Sequence, residues 1–342
     1  MIRRQVSRRA FSSGGLCAGL LLGAPAVAQS GSLKVRLDWT PWGVHGAIHL
    51  AQAKGWVERA GLIVQVQDGS GSAATVQLLG SSSEFDIGHA SLATMMVARS
   101  KGLPVKAHAI FFRQGDIGCF VPKGSGISGP ADLRGKKIVY TAGSLEAPFI
   151  DTFLAAGGLR RSDVDLVAVN AASKAATYAS GQADAALSTI PFFVPTVAAS
   201  RPSDAIRFAE YGLQMPGYGL LAQEQTLKGP KREAIAKYGS IIAASWKYIY
   251  AGHQDEAVEA IISQRPQARL DRNVLRGQIE SLRDYLDTPA GMKLPLGVIA
   301  VEDWDIAIRT LAAVGLVDAT SKGADYTEAN LVTSVELNAS RP

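Results

Sequence analysis

A chain of 342 residues with only two cysteines is too long for a single growing core and too poor in Cys for a disulfide-stapled fold. Its 35 Lys and Arg against 30 Asp and Glu make it formally basic, but Arg3, Arg4, Arg8 and Arg9 all lie within residues 1–28, and without those four the balance is 31 against 30. No basic surface of the kind that grips RNA or DNA is left, so no nucleic-acid partner is expected.

In chain order, "MIRRQVSRRAFSSGGLCAGLLLGAPAVA" comes first, with a basic start, an apolar middle and a small-residue end at Ala26-Val27-Ala28. This is the pattern of an export signal over residues 1–28. Ser7-Arg8-Arg9-Ala10-Phe11 fits its twin-arginine form. The apolar stretch Leu16 to Ala28 is shorter than the roughly 20 residues that cross a bilayer core. Gly14-Gly15-Leu16 is a poor lipobox for Cys17. A soluble, monomeric periplasmic protein beginning near Gln29 is expected, with Cys119 as its remaining thiol and no intramolecular disulfide.

Short apolar runs then alternate with helical patterns. "KVRLDW", a helix from about His45 to Gly61, "LIVQVQ", a helix from about Ala73 to Gly80, "FDIGHA" and a helix over "LATMMVARSKG" make one unit. "KKIVYTAG", a helix over "PFIDTFLAAGG", "DLVAVN", a helix over "SKAATYASG" and "ADAALSTI" make a second. Strand and helix in this rhythm predict an α/β fold of two lobes, each a mainly parallel sheet flanked by helices. "SAATVQLLGSSSEFDIG" and "SKAATYASGQADAALS" echo one another across the units. Shared secondary structure and true pseudo-symmetry both account for the echo. "FFRQGDIGCFVPKG" leads out of the first unit and "YGLQMPGYGLLAQ" leads back, so a cleft between lobes is expected. From there to the end, apolar residues at spacings of three and four predict a helical tail packed on an earlier lobe. The expected division is residues 33–116 with 215–335 as one lobe and 117–214 as the other.

The chemistry gathers at the turns after the strands. Trp39 and Trp42 stand three residues apart at the carboxyl edge of a parallel sheet, before His45, where open α/β folds bind ligands. Indole faces there sandwich a planar solute or merely close the core. Facing a cleft, Trp42 is expected to contribute little to the core in the open form, and Trp39, nearer the strand, more. Gly71 and Ser72 open a helix with backbone N–H groups for an oxygen, or Ser72 is only its cap. His89 and Ser91 follow "FDIG" at the sheet edge, where His89 faces the cleft or packs. Gly143 and Ser144 hold the matching place in the second lobe, followed by Thr189 and Phe192, with Tyr218 on the return crossing. Asp184 reads as a turn residue at a strand entrance.

"LDWTP" with a histidine four residues later, "AQAKGW", "GLIVQVQDG", "FDIGHAS", "ADLRGKKI", "GQADAAL" and the late "W…LAAVGLVD" resemble the NMT1/THI5-like solute-binding proteins of ABC importers, from about Val35 to Asp318. The resemblance implies a type II periplasmic-binding fold that closes on a small solute, of the thiamine-pyrimidine, riboflavin, alkanesulfonate or nitrate kind, and then docks on a membrane permease. Pyrimidine carriers of that family have an Asn after the Thr-Pro and a Glu after the second-lobe strand. Here Trp42 and "IPFF" stand in those places, an aromatic wall for a polar edge. The solute is therefore expected to be planar or largely apolar, held by stacking and by hydrogen bonds from His45, His89 and Ser144. Fungal relatives that synthesise the pyrimidine use a Cys- and His-rich segment and lysine-bound pyridoxal phosphate, and one mature cysteine cannot supply that cluster. No catalytic triad spacing or P-loop occurs, and His45 and His49 lack an acidic residue between them, so a carrier without metal or cofactor is expected. A binding domain feeding a membrane sensor would share the fold.

Overall fold

Leu33 and Val35, fully buried, alternate with more open neighbours along β1 (Ser32–Arg36), the period-2 pattern of a strand with one covered face. The computed structural model describes residues 31–334 and 337, so the export signal lies outside the described residues. Strands β2 (Ile63–Gln67), β3 (Ile87–Ser91) and β4 (Val105–Ile110) follow, then β5 (Ile117–Pro122), β6 (Lys137–Tyr140), β7 (Asp165–Ala168), β8 (Ala185–Thr189), β9 (Ser203–Arg207) and β10 (Tyr218–Gln223). They form two five-stranded sheets, ordered β2-β1-β3-β10-β4 and β7-β6-β8-β5-β9. In each sheet the order is the same and one strand is reversed: β10 runs antiparallel to β3 and β4, and β5 antiparallel to β8 and β9. The reversed strand is the one that follows a crossing, so the chain enters each sheet against its grain.

The two echoing segments occupy equivalent places. One is the helix Ser72–Ser81 leading to β3, the other the helix Lys174–Ala179 leading to β8, and both strands are central. Four strands differ from the reading of the sequence. "VKAHAI" and "SDAIR" are β4 and β9, and the two crossing segments carry β5 and β10. The expected helix from His45 to Gly61 is broken into a 3-10 turn Gly43–His45 and helices Gly46–Ala53 and Trp56–Arg59. Gly55 causes the second break, since its φ of +64° is a left-handed conformation that ends a helix.

The tail is helical, as its spacing predicts. In Arg232–Tyr250 the residues Ile235, Tyr238, Ile242, Trp246 and Ile249 are buried along one stripe. Helix Arg272–Leu282 starts at Asp271, whose carboxylate accepts from the N–H groups of Asn273 and Val274 at 2.8 and 2.9 Å. It does not rest on one lobe. Its buried Gln278 accepts from Gly43 N–H at 2.8 Å and donates to Thr196 Oγ1 at 3.1 Å, tying the first turn to the helix Ile190–Val197 of the second sheet. Among the described residues no helix is long and apolar enough to cross a membrane.

Candidate functional site

Asp38, Trp39 and Trp42 follow β1, Ser72 begins a helix ahead of β3, and Tyr218 opens β10, all at one edge of the first sheet. Leu145, Lys174, Ser188, Thr189 and Phe192 face them from the second. Together these residues line a narrow hollow at the junction of the two sheets. Its walls are rings: Trp42 lies edge-on to Phe192 at 5.5 Å and to Tyr218 at 5.8 Å, and Trp39 edge-on to Phe192 at 6.4 Å. The indole nitrogens of both tryptophans are buried without a hydrogen-bond partner among the described residues. Burial, reinforced by the Asp38 carboxylate, pushes the Tyr218 hydroxyl well above its usual range and keeps it a donor.

Of the residues read from the sequence, Trp39, Trp42, Ser72, Thr189, Phe192 and Tyr218 line this hollow. The others are brought close and put to different use. His45 and His89 stand behind the wall, both on Asp38: His45 Nε2 lies 2.8 Å and His89 Nδ1 3.2 Å from Asp38 Oδ1. Ser91 caps the helix Leu92–Ser100 by accepting from Thr94 N–H at 3.4 Å, and its own N–H donates to Ser72 Oγ at 3.1 Å. Ser144 donates to the Thr141 carbonyl at 2.6 Å. Gly143 accepts from Ala74 N–H at 3.0 Å, and a methyl on Gly71 would sit 2.1 Å from that same Gly143 oxygen. The backbone groups around Gly71 and Gly143 therefore latch sheet to sheet, and His45, His89 and Ser144 are bonded through these atoms to partners within the protein. Trp42 is fully buried and Trp39 is 6% exposed, because Phe192 and Tyr218 close over the Trp42 ring. Asp184 accepts from Lys137 N–H at 2.8 Å, the strand-entrance role expected of it.

Three charged groups were not legible in the sequence. Asp38 is one; burial works to raise its pKa, and the hydrogen bonds from His45 and His89 outweigh it and bring it down to about 2. Lys174 and Glu146 are the others, an ion pair at 3.0 Å with both side chains buried, the ammonium 4.8 Å above the Trp39 ring.

Asp38, His45 and His89 place three ligand atoms within 4.8 Å of one another, a spacing that a metal ion fits. The hydrogen bonding fits it poorly. Trp42 N–H points at His45 Nδ1 from 3.4 Å, so Nδ1 accepts and Nε2 carries the proton it donates to Asp38. The group is a carboxylate fixing two imidazoles. His49 turns away to Gln264 Oε1 at 2.8 Å and makes no pair with His45.

Thr189 donates to the buried Asp116, whose pKa burial pushes up to about 7 against that hydrogen bond. Between about pH 4 and 7 the folded chain holds a proton there that the unfolded chain has lost. The stability this lends is full below about pH 4 and is lost as pH rises through 7. Burial pushes His49 down to about 4 and His108 to about 3, and their contributions run the other way, lost as pH falls. The difference between parent and Asp116→Asn isolates the Asp116 part: the melting temperature of the variant is expected to decline less from pH 4 to 8. An equally steep decline in both proteins would assign it elsewhere.

A larger hollow of about 340 Å³ lies behind the crossings, lined among others by Arg113, Met215, Thr288 and Asp303. It takes nothing from the sheet edges, so the smaller, ring-walled space is the cleft.

Two α/β lobes of matching strand order, joined by two crossings and meeting at such a cleft, define the type II periplasmic-binding class. The chain belongs to the NMT1/THI5-like family, whose model matches residues 42–257. It is 28% identical over 251 residues to a Haemophilus influenzae protein named for thiamine biosynthesis, covering 72% of this chain and 78% of that one. It is 24% identical over 290 residues to the formylaminopyrimidine-binding protein of Halalkalibacterium halodurans, covering 82% and 85%. A 4-amino-5-hydroxymethyl-2-methylpyrimidine phosphate synthase of Saccharomyces cerevisiae is 32% identical over 105 residues, 30% of this chain and 31% of the synthase. Among solved structures, a Bordetella bronchiseptica protein superposes with a TM-score of 0.72 at 25% identity, covering 88% and 95% of the two chains. The aliphatic sulphonate-binding protein SsuA of Escherichia coli does so at 0.63 and 15%, covering 91% and 97%.

Proposed function

We propose that the chain is the periplasmic solute-binding component of an ABC importer, closing residues 33–116 with 215–335 and residues 117–214 as two lobes over one small heteroaromatic solute that it hands to a permease. The observation that carries this is the cleft itself, a narrow space between two sheets walled by Trp39, Trp42, Phe192 and Tyr218. Rings on several sides favour a flat solute, and the unpartnered indole N–H groups favour one with acceptor atoms on its edge. The buried carboxylates of Asp38 and Glu146, set against the ammonium of Lys174, disfavour sulfonate or nitrate. The relative named for binding formylaminopyrimidine supports the same class of solute.

A carrier fits better than a synthase. The synthase likeness covers 31% of that enzyme, and Cys119 is buried with its thiol pushed far up by burial, unfit as nucleophile or ligand. Calorimetric titration with a single-ring aminopyrimidine, a flavin and an aliphatic sulfonate tests the reading. Saturable one-to-one binding of the aminopyrimidine alone is expected, and tight binding of the sulfonate alone would overturn it. Export by the twin-arginine route belongs to the same proposal. Intact mass of the periplasmic fraction is expected to show a monomer beginning near Gln29, whereas a lipidated chain starting at Cys17 would contradict it.

A further inference from the structure

Lys174 and Glu146 are 28 residues apart in the chain and meet in the interior, where an ion pair costs several kcal/mol in lost hydration for each ion. A hydrophobic pair would hold the fold as well, so the charges call for another use. The Lys174 ammonium has three N–H donors. One reaches Glu146 Oε1 at 3.0 Å and one the Leu187 carbonyl at 3.0 Å, immediately before Ser188 and Thr189 at the cleft wall. The third has no hydrogen-bond acceptor among the described residues, and the ammonium itself lines the cleft over the face of Trp39. Glu146 Oε2 is likewise buried without a donor among the described residues. The ammonium with its spare donor therefore lines the ring-walled space, and the free acceptor of Glu146 is buried directly beside that ammonium.

We propose that Lys174 and Glu146 are the specificity-determining pair of the cleft, reading a solute edge on which a ring nitrogen acceptor adjoins an exocyclic N–H donor, as in a 4-aminopyrimidine. The proposal rests on the solute-capture reading above. Lys174 donates to the ring nitrogen while Glu146 Oε2 accepts from the amino group. A methyl in place of the amino group leaves the buried carboxylate oxygen unpaired, and an anionic head repels it.

The test is calorimetric titration of the full chain with three probes: 4-amino-2-methylpyrimidine, 2,4-dimethylpyrimidine as its isostere lacking the amino group, and benzenesulfonate. The parent is expected to bind the amine at least about tenfold tighter than the isostere. Lys174→Met alone strands a buried carboxylate and endangers folding, so the deciding variant is the double change Lys174→Met with Glu146→Leu, which removes both charges together. It is expected to melt near the parent, to hold both pyrimidines through the aromatic walls, and to lose the preference between them. Glu146→Gln, which keeps the shape, is expected to lose most of the preference as well. A double variant that still prefers the amine tenfold would overturn the proposal, as would a parent that binds both pyrimidines alike or binds benzenesulfonate through Lys174. A parent that binds neither pyrimidine would sink the aromatic-solute reading itself, an outcome distinct from binding without preference.

Discussion

Trp42→Ala is expected to lose about 3–5 kcal/mol of stability and, in the same protein, about one to two decades of affinity for an aromatic solute. The stability loss follows from burial: the indole is fully covered and packs edge-on against His45 at 6.1 Å, Phe192 at 5.5 Å and Tyr218 at 5.8 Å. Removing it leaves a cavity that the rigid sheet edge cannot refill. The affinity loss is the stacking contribution of one ring, about 1–3 kcal/mol by analogy with bases stacked on aromatic side chains. Phe192 belongs to the second lobe, so part of the cost falls on closure and not on the folded first lobe. Urea unfolding beside calorimetric titration separates the two. A variant that unfolds earlier and binds as tightly as the parent would make this turn a packed corner and remove Trp42 from the solute's surroundings.

Gly71→Ala is expected to act on closure more than on folding. At Gly71 a Cβ would lie 2.1 Å from the Gly143 oxygen and 2.5 Å from its carbonyl carbon, both main-chain atoms of the opposite lobe that have no rotamer to move into. Gly71 also holds a φ of +157°, which an L side chain rarely adopts, so a modest stability loss accompanies the substitution. The latch beside it, from Ala74 N–H to the Gly143 oxygen at 3.0 Å and from Thr94 Oγ1 to the Leu145 oxygen at 3.1 Å, cannot then form in register. Affinity is expected to fall at least about 100-fold, which is about 2.7 kcal/mol. Small-angle scattering supplies the direct reading. The parent is expected to compact on adding solute and Gly71→Ala to keep its open radius of gyration. Equal compaction of the two proteins would show that the lobes close without this contact.

The sequence made the fold legible wherever hydrophobic periodicity was strong. β1, β2, β3, β6 and β8 all sit where short apolar runs end in Gly, Asp or Ser. β4 and β9 escaped because "VKAHAI" and "SDAIR" carry charges or lie outside the strand-helix rhythm, and β5 and β10 were hidden inside segments that also cross between lobes. At the cleft, the aromatic residues were legible because a sheet's carboxyl edge and two nearby tryptophans are local signals. The charged residues were not. Lys174 opens a short helix and Glu146 sits in a loop, places where a charge ordinarily faces water, and only the tertiary fold brings them together. Asp38 stood inside the quoted "LDWTP", but its role depends on His89, 51 residues away, and no spacing reports that. The same limit hid the partner of His45 and His89: their side of the turn could be read, but not the carboxylate that holds them.

Native mass spectrometry of the chain, purified without denaturation after exposure to a small-molecule extract of its host cells, tests the central claim most directly. The account predicts one added mass per chain, a single-ring nitrogen heterocycle that absorbs in the ultraviolet and leaves the denatured protein chemically unchanged. An added sulfonate or nitrate, or a released compound that differs from the one captured, would contradict it.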